Sequence, residues 1–369
     1  MKPVTIKDVA EAARCSTTLV SRVMNAPRKE NGTPDCVVNP KTAERIFEAV
    51  KTLGYRPNKA AVSLRKRLQK RIGVILPDLS NQFFAGIAKH FETLARKHGY
   101  VVLFGSSNDS IEQLNHTAEV FLEDGVDGII IIPSANCADA VRKITENGTP
   151  VVITVRDIPE IENVGKVLLN SRTTTRTVLD HLTANGYRNI DMLSLTHRFS
   201  IVEERERLYI EYMKERGMRH KIHHISDSNT DMEIVLEQAL RSGTDALYCI
   251  SASLPIQCLS TGKSLGIRFP EDMALTGYDG GFLYEALSPT VTHAEFSREE
   301  IAREAFETLR KMLVSHDTTP ERKEIEGRFI IGESTRRPEH KENAGNDADV
   351  KSRITEAIAS LRDVLSELQ

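Results

Sequence analysis

At 369 residues the chain exceeds what one hydrophobic core usually organises, and no apolar run approaches the ~20 residues that span a bilayer, so two or three domains and no membrane partner are expected. The five cysteines (Cys15, Cys36, Cys137, Cys249 and Cys258) are odd in number and lack CxxC spacing, which argues against a disulfide framework or a structural zinc site. The net charge of −3 hides an asymmetry, because residues 1–71 hold 16 Lys and Arg against 6 Asp and Glu while the remainder holds 33 against 46.

A basic head on an acidic body suits phosphate binding by one end: cations near the duplex release condensed counterions, and the body is repelled. A solvated basic face is the alternative. The N-terminus is polar from Lys2 to Glu11, so no signal peptide is predicted and the protein is expected in the cytoplasm.

Thr5-Ile6-Lys7-Asp8 has the form of a capping box, with Thr5 placed to accept from the backbone three residues on and Asp8 at the positive end of a helix. Ile6, Val9, Ala10 and Ala13 then share one stripe, giving a short helix that ends near Arg14. Ser16 is the next N-cap candidate, and Leu19, Val20 and Val23 form an apolar face before Asn25 and Pro27 stop the helix. Two short helices joined at Cys15-Ser16 make a helix-turn-helix. Residues 26–38 (APRKENGTPDCVV) read as a solvated, charged turn in which Arg28 and Lys29 are candidate phosphate contacts. A third helix begins at Asn39-Pro40, a cap residue before a proline set for the first helical position, and carries Ile46, Val50 and Leu53 inward before Gly54.

In such a motif the second helix lies in the major groove with its N-terminal residues at base edges. Thr17, Thr18 and Arg22 then face outward. Arginine can donate two bonds to guanine N7 and O6, and threonine can bond either way or touch a thymine methyl. A phosphate contact is the simpler role for Arg22. Ser16 and Ser21 are placed to cap and to bind phosphate, which sets register without reading sequence. Thr5, Asn25, Tyr55 and Asn58 complete the candidate DNA contacts.

The run TIKDVAEAARCSTTLVSRVMN, followed by LGYRPNKAAVSLR, resembles the DNA-binding head and hinge of the LacI/GalR family of bacterial repressors. The resemblance implies that Asn58 to Arg65 forms a hinge helix only when two chains sit together on a pseudo-palindromic operator. It places Leu64 in a base step of the minor groove, flanked by Ala61 and Arg65. An inserted apolar side chain unstacks and bends DNA so that more protein surface engages. Without that role Leu64 is an interdomain packing residue. The 26–38 segment is longer than the corresponding family loop.

From Arg71 the texture changes to short apolar runs alternating with helical stretches: IGVILP, VVLFGS, DGIIIIP and VVITV. Strands buried on both faces give such runs, and helices between them imply parallel crossovers. The alternation resumes with residues 189–195, 246–250 and MALTGYDG. A doubly wound α/β core of two lobes is predicted over 71–335, similar to the type I periplasmic-binding-protein fold of the family.

Ligands of open parallel sheets bind beyond the strand C-termini, here in the cleft between lobes. Asp78, Phe83 and Phe84 follow the first strand, Arg156 follows VVITV, Ser251 follows the CI strand, and Asp279 ends TGYDG. Arg205 is read as lying ahead of a helix in the second lobe. The resemblance makes Arg205 and Asp279 the leading ligand contacts, suited to fork the hydroxyls of a sugar. Phe83 or Phe84 would stack on its apolar face or belong to the lobe core, and the bland role for Arg205 is a surface salt bridge. The chain also departs from the family: Asn170-Ser171 replace an Asp-Asn pair, Thr175 and Leu208 stand for glycines, and Ser251-Ala252 lack an acid. Either the effector is unusual or the regulator has no small-molecule response.

STGKS at 260–264 lacks the glycine a phosphate-binding loop needs at 257, where Gln257 stands. His220, His223 and His224 have no partner at metal-ligand spacing and read as a polar linker. No GxSxG is present. No enzyme activity, cofactor or metal is therefore expected. Residues 336–349 form a polar linker, and Ile354, Ile358, Leu361, Leu365 and Leu368 recur at spacings of 4, 3, 4 and 3, an a/d seam over 350–369.

The expected layout is a DNA-binding domain over 1–57, a hinge over 58–70, the core over 71–335, the linker, and an oligomerisation helix. The function this predicts is a homodimeric or tetrameric repressor that binds an operator in double-stranded DNA and answers to a sugar or related metabolite. A soluble ligand-binding protein is the rival class. The basic head speaks against it.

Overall fold

The computed structural model describes residues 5–25, 38–53, 69–226, 229–315 and 319–337. The charged turn with Arg28 and Lys29, the hinge candidates Tyr55, Asn58, Ala61, Leu64 and Arg65, and the heptad tail lie outside the described residues. The described residues divide into two compact units, one ending at Arg71 and taking in Gly125–Asp127, the other comprising the rest. Among them no helix is long and apolar enough to cross a membrane.

The first unit is built from α1 (Ile6–Ala12), α2 (Thr17–Asn25) and α3 (Pro40–Leu53). Each helix starts where a polar side chain meets an otherwise orphaned backbone group. The Ser16 hydroxyl accepts from the Leu19 N–H at 3.2 Å, and Asn39 Oδ1 accepts from the Lys41 N–H at 3.0 Å. At α1 the Asp8 carboxylate accepts both the Thr5 N–H at 2.6 Å and the Thr5 hydroxyl at 2.8 Å. Thr5 and Asp8 thus form the predicted capping box, the Thr5 side chain meeting the Asp8 backbone N–H and also donating to its carboxylate. Val9, Ala10, Ala13, Val20, Val23 and Ile46 form the core together with Ala43 and Ala49. The expected core residues Val50 and Leu53 pack against this cluster and are half-buried.

The second unit has two lobes with one plan. Lobe 1 is a six-stranded sheet of β1 (Arg71–Leu76), β2 (Val101–Ser106), β3 (Gly128–Ile131), β4 (Val151–Val155), β5 (Gly165–Leu169) and β11 (Arg322–Ile325), in the order β11-β5-β4-β3-β1-β2. Lobe 2 has β6 (Ile190–Leu195), β7 (Ile222–Ile225), β8 (Ala246–Cys249), β9 (Ala274–Tyr278), β10 (Thr292–Phe296) and β12 (Gly327–Ile330), in the order β12-β10-β9-β8-β6-β7. The central ladders are parallel, and β12 runs antiparallel to β10. All residues of β3, β4, β8 and β9 are buried, as befits central strands of a parallel sheet.

Helices α4 (Gln82–Lys97), α5 (Ile111–Glu123) and α6 (Ala138–Glu146) connect the strands of lobe 1. In lobe 2 the connections are α7 (Ser171–Ala184), α8 (Ser200–Glu215), α9 (Asn229–Arg241), α10 (Ser253–Leu265) and the short α11 (Phe282–Ala286). Helix α12 (Arg298–Ser315) leaves β10 and returns to lobe 1, where it packs on α4, β3, β4 and β5.

Two sequence expectations are corrected here. The stretch around His223 and His224 is strand β7 and not a linker: burial of the His223 ring is made tolerable by Asp191 at 3.0 Å, and His224 meets Glu206 at 3.0 Å. Arg205 lies inside α8 and is buried, so it is neither ahead of a helix nor a surface ion pair.

The chain passes between lobes three times, near Asn170, Ser297 and Glu326. Asn170 ties two of these passages together, its Nδ2 donating to Glu326 Oε1 at 2.6 Å and its N–H to the Ile325 carbonyl at 2.9 Å. Close packing there needs Gly327: a Cβ on it would lie 2.3 Å from Thr174 Cγ2 and 3.2 Å from Phe296 Cε1. Gly327→Ala is expected to destabilise the core by about 1–3 kcal/mol through overpacking. Chemical denaturation checks this, and an unchanged midpoint would show that the passage has room to spare.

Candidate functional site

At about 100° per residue, α2 gathers Thr17, Thr18, Ser21, Arg22 and Asn25 on one arc and Leu19, Val20, Val23 and Met24 on the other. The burial pattern follows this division. Val20 and Val23 are buried, whereas Thr17, Thr18 and Arg22 are exposed, with Ser16 exposed beside them and Ser21 half-buried. The Asn25 side chain lies outside the described residues. Lys7, Arg14, Lys41 and Arg45 are further exposed cations of the unit. An outward row of hydroxyls and one guanidinium at the start of a helix matches what base-edge reading needs.

Between the two lobes lies a cleft of about 790 Å³. Six of the predicted ligand residues line it: Asp78, Phe83, Phe84 and Arg156 from lobe 1, Ser251 and Asp279 from lobe 2. Asp78, Arg156, Ser251 and Asp279 sit just beyond a strand C-terminus, and Phe83 and Phe84 open α4. Phe83 and Phe84 meet edge to face at 5.5 Å, so they serve the cleft wall and the lobe core together. The same strand-end rule also covers Asn108 and Asp109 after β2 and His197 and Phe199 after β6, which line the cleft and were not singled out from sequence.

Four of the family departures fall elsewhere. Thr175 and Leu208 are buried in lobe 2, where the Thr175 hydroxyl accepts from Tyr248 at 3.0 Å, and Asn170 and Ser171 belong to the crossover and the start of α7. Only Ser251 and Ala252 reach the cleft.

Arg156 is held in the cleft wall by contacts from both lobes. Val155 before it has φ +68, rare for a β-branched residue, and the Arg156 N–H donates back to the Thr154 carbonyl at 2.8 Å, forming a tight three-residue turn. That turn sets the guanidinium in the cleft wall. Its Nη1 donates to Asp109 Oδ1 at 2.5 Å and to the Pro133 carbonyl at 2.9 Å, and its Cζ lies 3.6 Å from the ring centre of Phe199 in lobe 2. Burial pulls the Arg156 pKa below its usual value, and the Asp109 carboxylate pulls it back.

Arg205 lies outside the cleft lining. Its Nη1 donates to the Ile250 carbonyl at 2.7 Å, its guanidinium covers the Tyr278 ring at 3.8 Å, and Nε and Nη2 have no hydrogen-bond partner. Asp279 closes β9 with φ +55 and accepts the Phe296 N–H at 2.9 Å through Oδ1. Burial pushes its pKa up to about 6, the nearby charge of Arg205 offsetting part of the effect. Among the described residues no group of three or more His, Cys, Asp and Glu side chains is placed to hold a metal ion.

The Asp279 shift has a definite sign. A carboxyl whose folded pKa is raised favours the native state below its unfolded pKa near 4 and loses that contribution as pH rises through about 6. Asp279→Asn keeps an acceptor for Phe296 and removes the charge. It should gain about 2–3 kcal/mol on the parent between pH 4 and pH 8. Denaturant midpoints across that range check this, and a pH-independent difference would contradict the shift.

Two family models match the chain: “Bacterial regulatory proteins, lacI family” over residues 5–58 and “Periplasmic binding protein-like domain” over residues 179–335. The transcriptional repressor CytR of Escherichia coli (strain K12) is 26% identical over 337 residues, covering 90% of this chain and 96% of CytR. The transcriptional regulator KdgR of Bacillus subtilis (strain 168) is 24% identical over 342 residues, covering 89% and 97%. A Lac repressor dimer bound to operator and an anti-inducer shares the fold with a TM-score of 0.76 at 20% identity, over 90% of this chain and 99% of that one. The regulator CelR in complex with cellobiose gives a TM-score of 0.65 at 25% identity, again over 90% and 99%. A lacI-type head, a periplasmic-binding-protein-like core and likeness over nearly the whole length of known regulators agree: the chain belongs to the lacI family of bacterial regulatory proteins and is a DNA-binding transcription regulator.

Proposed function

We propose that the protein is a cytoplasmic, homodimeric repressor whose affinity for a pseudo-palindromic operator is set by a sugar or related metabolite in the interlobe cleft. Helix α2 enters the major groove, Thr17, Thr18 and Arg22 read base edges, and Thr5, Ser16, Ser21, Asn25, Tyr55 and Asn58 hold the backbone. Asn58 to Arg65 forms the hinge, with Leu64 as minor-groove wedge between Ala61 and Arg65.

The observation that carries the effector reading is the make-up of the cleft. Asp78 on one wall and Asp279 on the other face the same space as the rings of Phe83, Phe84 and Phe199. Carboxylates accept from paired hydroxyls, and aromatic faces cover the C–H face of a sugar ring. Ser251 adds a hydroxyl and Arg156 a guanidinium, and Arg205 acts from behind the lining through its charge near Asp279. The names of relatives point the same way: a ribose operon repressor of Halalkalibacterium halodurans is 26% identical over 344 residues, and CelR holds cellobiose. Because Thr175 and Leu208 lie away from the cleft, their departure from the family leaves the binding space open, which favours an effector-responsive protein over a constitutive one. The effector acts by binding one lobe arrangement better than another.

Arg22→Ala is expected to weaken binding to operator DNA recovered by genome-wide mapping by about 1–3 kcal/mol and to relax the preference at one base pair. Retained affinity and preference would remove Arg22 from base reading. In a thermal-shift panel of sugars and nucleosides, one class should raise the melting temperature of the wild-type chain. A flat panel would favour the constitutive alternative. The heptad tail is proposed to join two dimers, so truncation after Arg337 should halve the mass seen in sedimentation. Equal numbers of chains per particle would leave the tail without that role.

A further inference from the structure

The guanidinium of Arg156 lies in a site made for a planar cation. Asp109 supplies a carboxylate, Pro133 a carbonyl, and Phe199 a ring face at 3.6 Å, with the Phe84 ring at 5.7 Å. The side chain is only 9% exposed. Three of these groups, Asp109, Pro133 and Phe84, belong to lobe 1, as Arg156 does, while Phe199 belongs to lobe 2. The neighbouring backbone repeats the connection: the Asp157 N–H donates to the Ser200 hydroxyl of lobe 2 at 2.8 Å. Arg156 and Phe199 also form a shared wall between the 790 Å³ cleft and a second interlobe space of about 400 Å³.

We infer that Arg156 is the resident occupant of a guanidinium site that fastens the two lobes, so that the chain itself supplies the cation that holds the cleft closed. The strained turn at Val155 sets Arg156 at the C-terminal edge of its sheet, where lobe 1 supplies Asp109 and Pro133 and lobe 2 supplies the ring of Phe199. A desolvated guanidinium on an aromatic face is worth more than an exposed one, and its planarity is what an ammonium cannot copy. The consequence holds whichever effector the cleft takes. Any molecule that needs the face of Phe199 must displace Arg156, whereas one seated elsewhere in the larger cleft leaves the contact in place.

The Asp157 amide offers a reporter, because its hydrogen bond crosses between the lobes. Hydrogen exchange of the full-length protein, read at that amide with no added ligand, should show protection in the parent. Phe199→Ala, a change on the opposite lobe, should raise the exchange rate about tenfold. Arg156→Ala should do the same, and ethylguanidinium ion added at millimolar concentration should restore most of the protection, whereas ethylammonium should not. Restoration by the planar cation alone would separate a latch from a general packing defect. An Asp157 amide as protected in Phe199→Ala as in the parent would overturn the inference. So would an Arg156→Ala protein that is folded by circular dichroism and stays deprotected with ethylguanidinium. If Arg156→Ala fails to fold, the Phe199→Ala arm decides alone.

Discussion

The direction of the strands is the constraint on which the core depends. A parallel sheet must return the chain over its face after every strand, so the C-termini of its parallel strands finish at one edge. Two lobes of identical strand order, joined by three passages, turn those edges toward a common cleft. The loops after β1, β2 and β4 and those after β6, β8 and β9 therefore converge, although residues such as Asp78 and Asp279 are far apart in the chain. Positive φ angles at non-glycine residues collect at the same edge: Asn108, Asp109 and Val155 in lobe 1, Asp279 in lobe 2. Val155 ends β4 and Asp279 follows β9, and these strands hold equivalent places in the two sheets. Local strain is tolerated there because buried strands on either side over-determine the backbone.

Charge is handled differently in the two units. The head keeps its cations on the outside of a small core of alanine, valine and isoleucine, where they remain available to phosphate. The core brings several charges inside and neutralises each one: Asp191 with His223 and Arg219, Glu206 with Arg198 and His224, Lys166 with Asp157, Arg156 with Asp109. Buried pairs of this kind add little net stability but make one arrangement of the loops much better than its neighbours. Glu206 illustrates the point, since it binds Arg198 in the loop that carries His197 and Phe199 into the cleft.

Much of this could be read from the residues. Ser16 and Asn39 marked helix starts because short polar side chains satisfy backbone N–H groups wherever they occur, a local effect. The runs IGVILP and VVITV marked buried strands, and the strand-end rule then located Asp78, Arg156, Ser251 and Asp279. What escaped depends on distant partners. Strand β7 is hidden because His223 and His224 look like a polar stretch until Asp191 and Glu206 stand opposite them. Strands β11 and β12, written RKEI and GRFI, are edge strands whose exposed side chains are charged and carry no alternation strong enough to detect. Arg205 reads from sequence as a ligand contact or a surface salt bridge, and only the tertiary fold places its guanidinium over Tyr278.

The central claim is that the head reads a specific, two-fold DNA sequence on behalf of the core. Selection of random double-stranded DNA by the full-length protein, followed by sequencing of the bound pool, tests it most directly. The account predicts convergence on a pseudo-palindrome whose half-sites are related by a two-fold axis. A pool that stays random in sequence, with binding that varies only with salt, would contradict it.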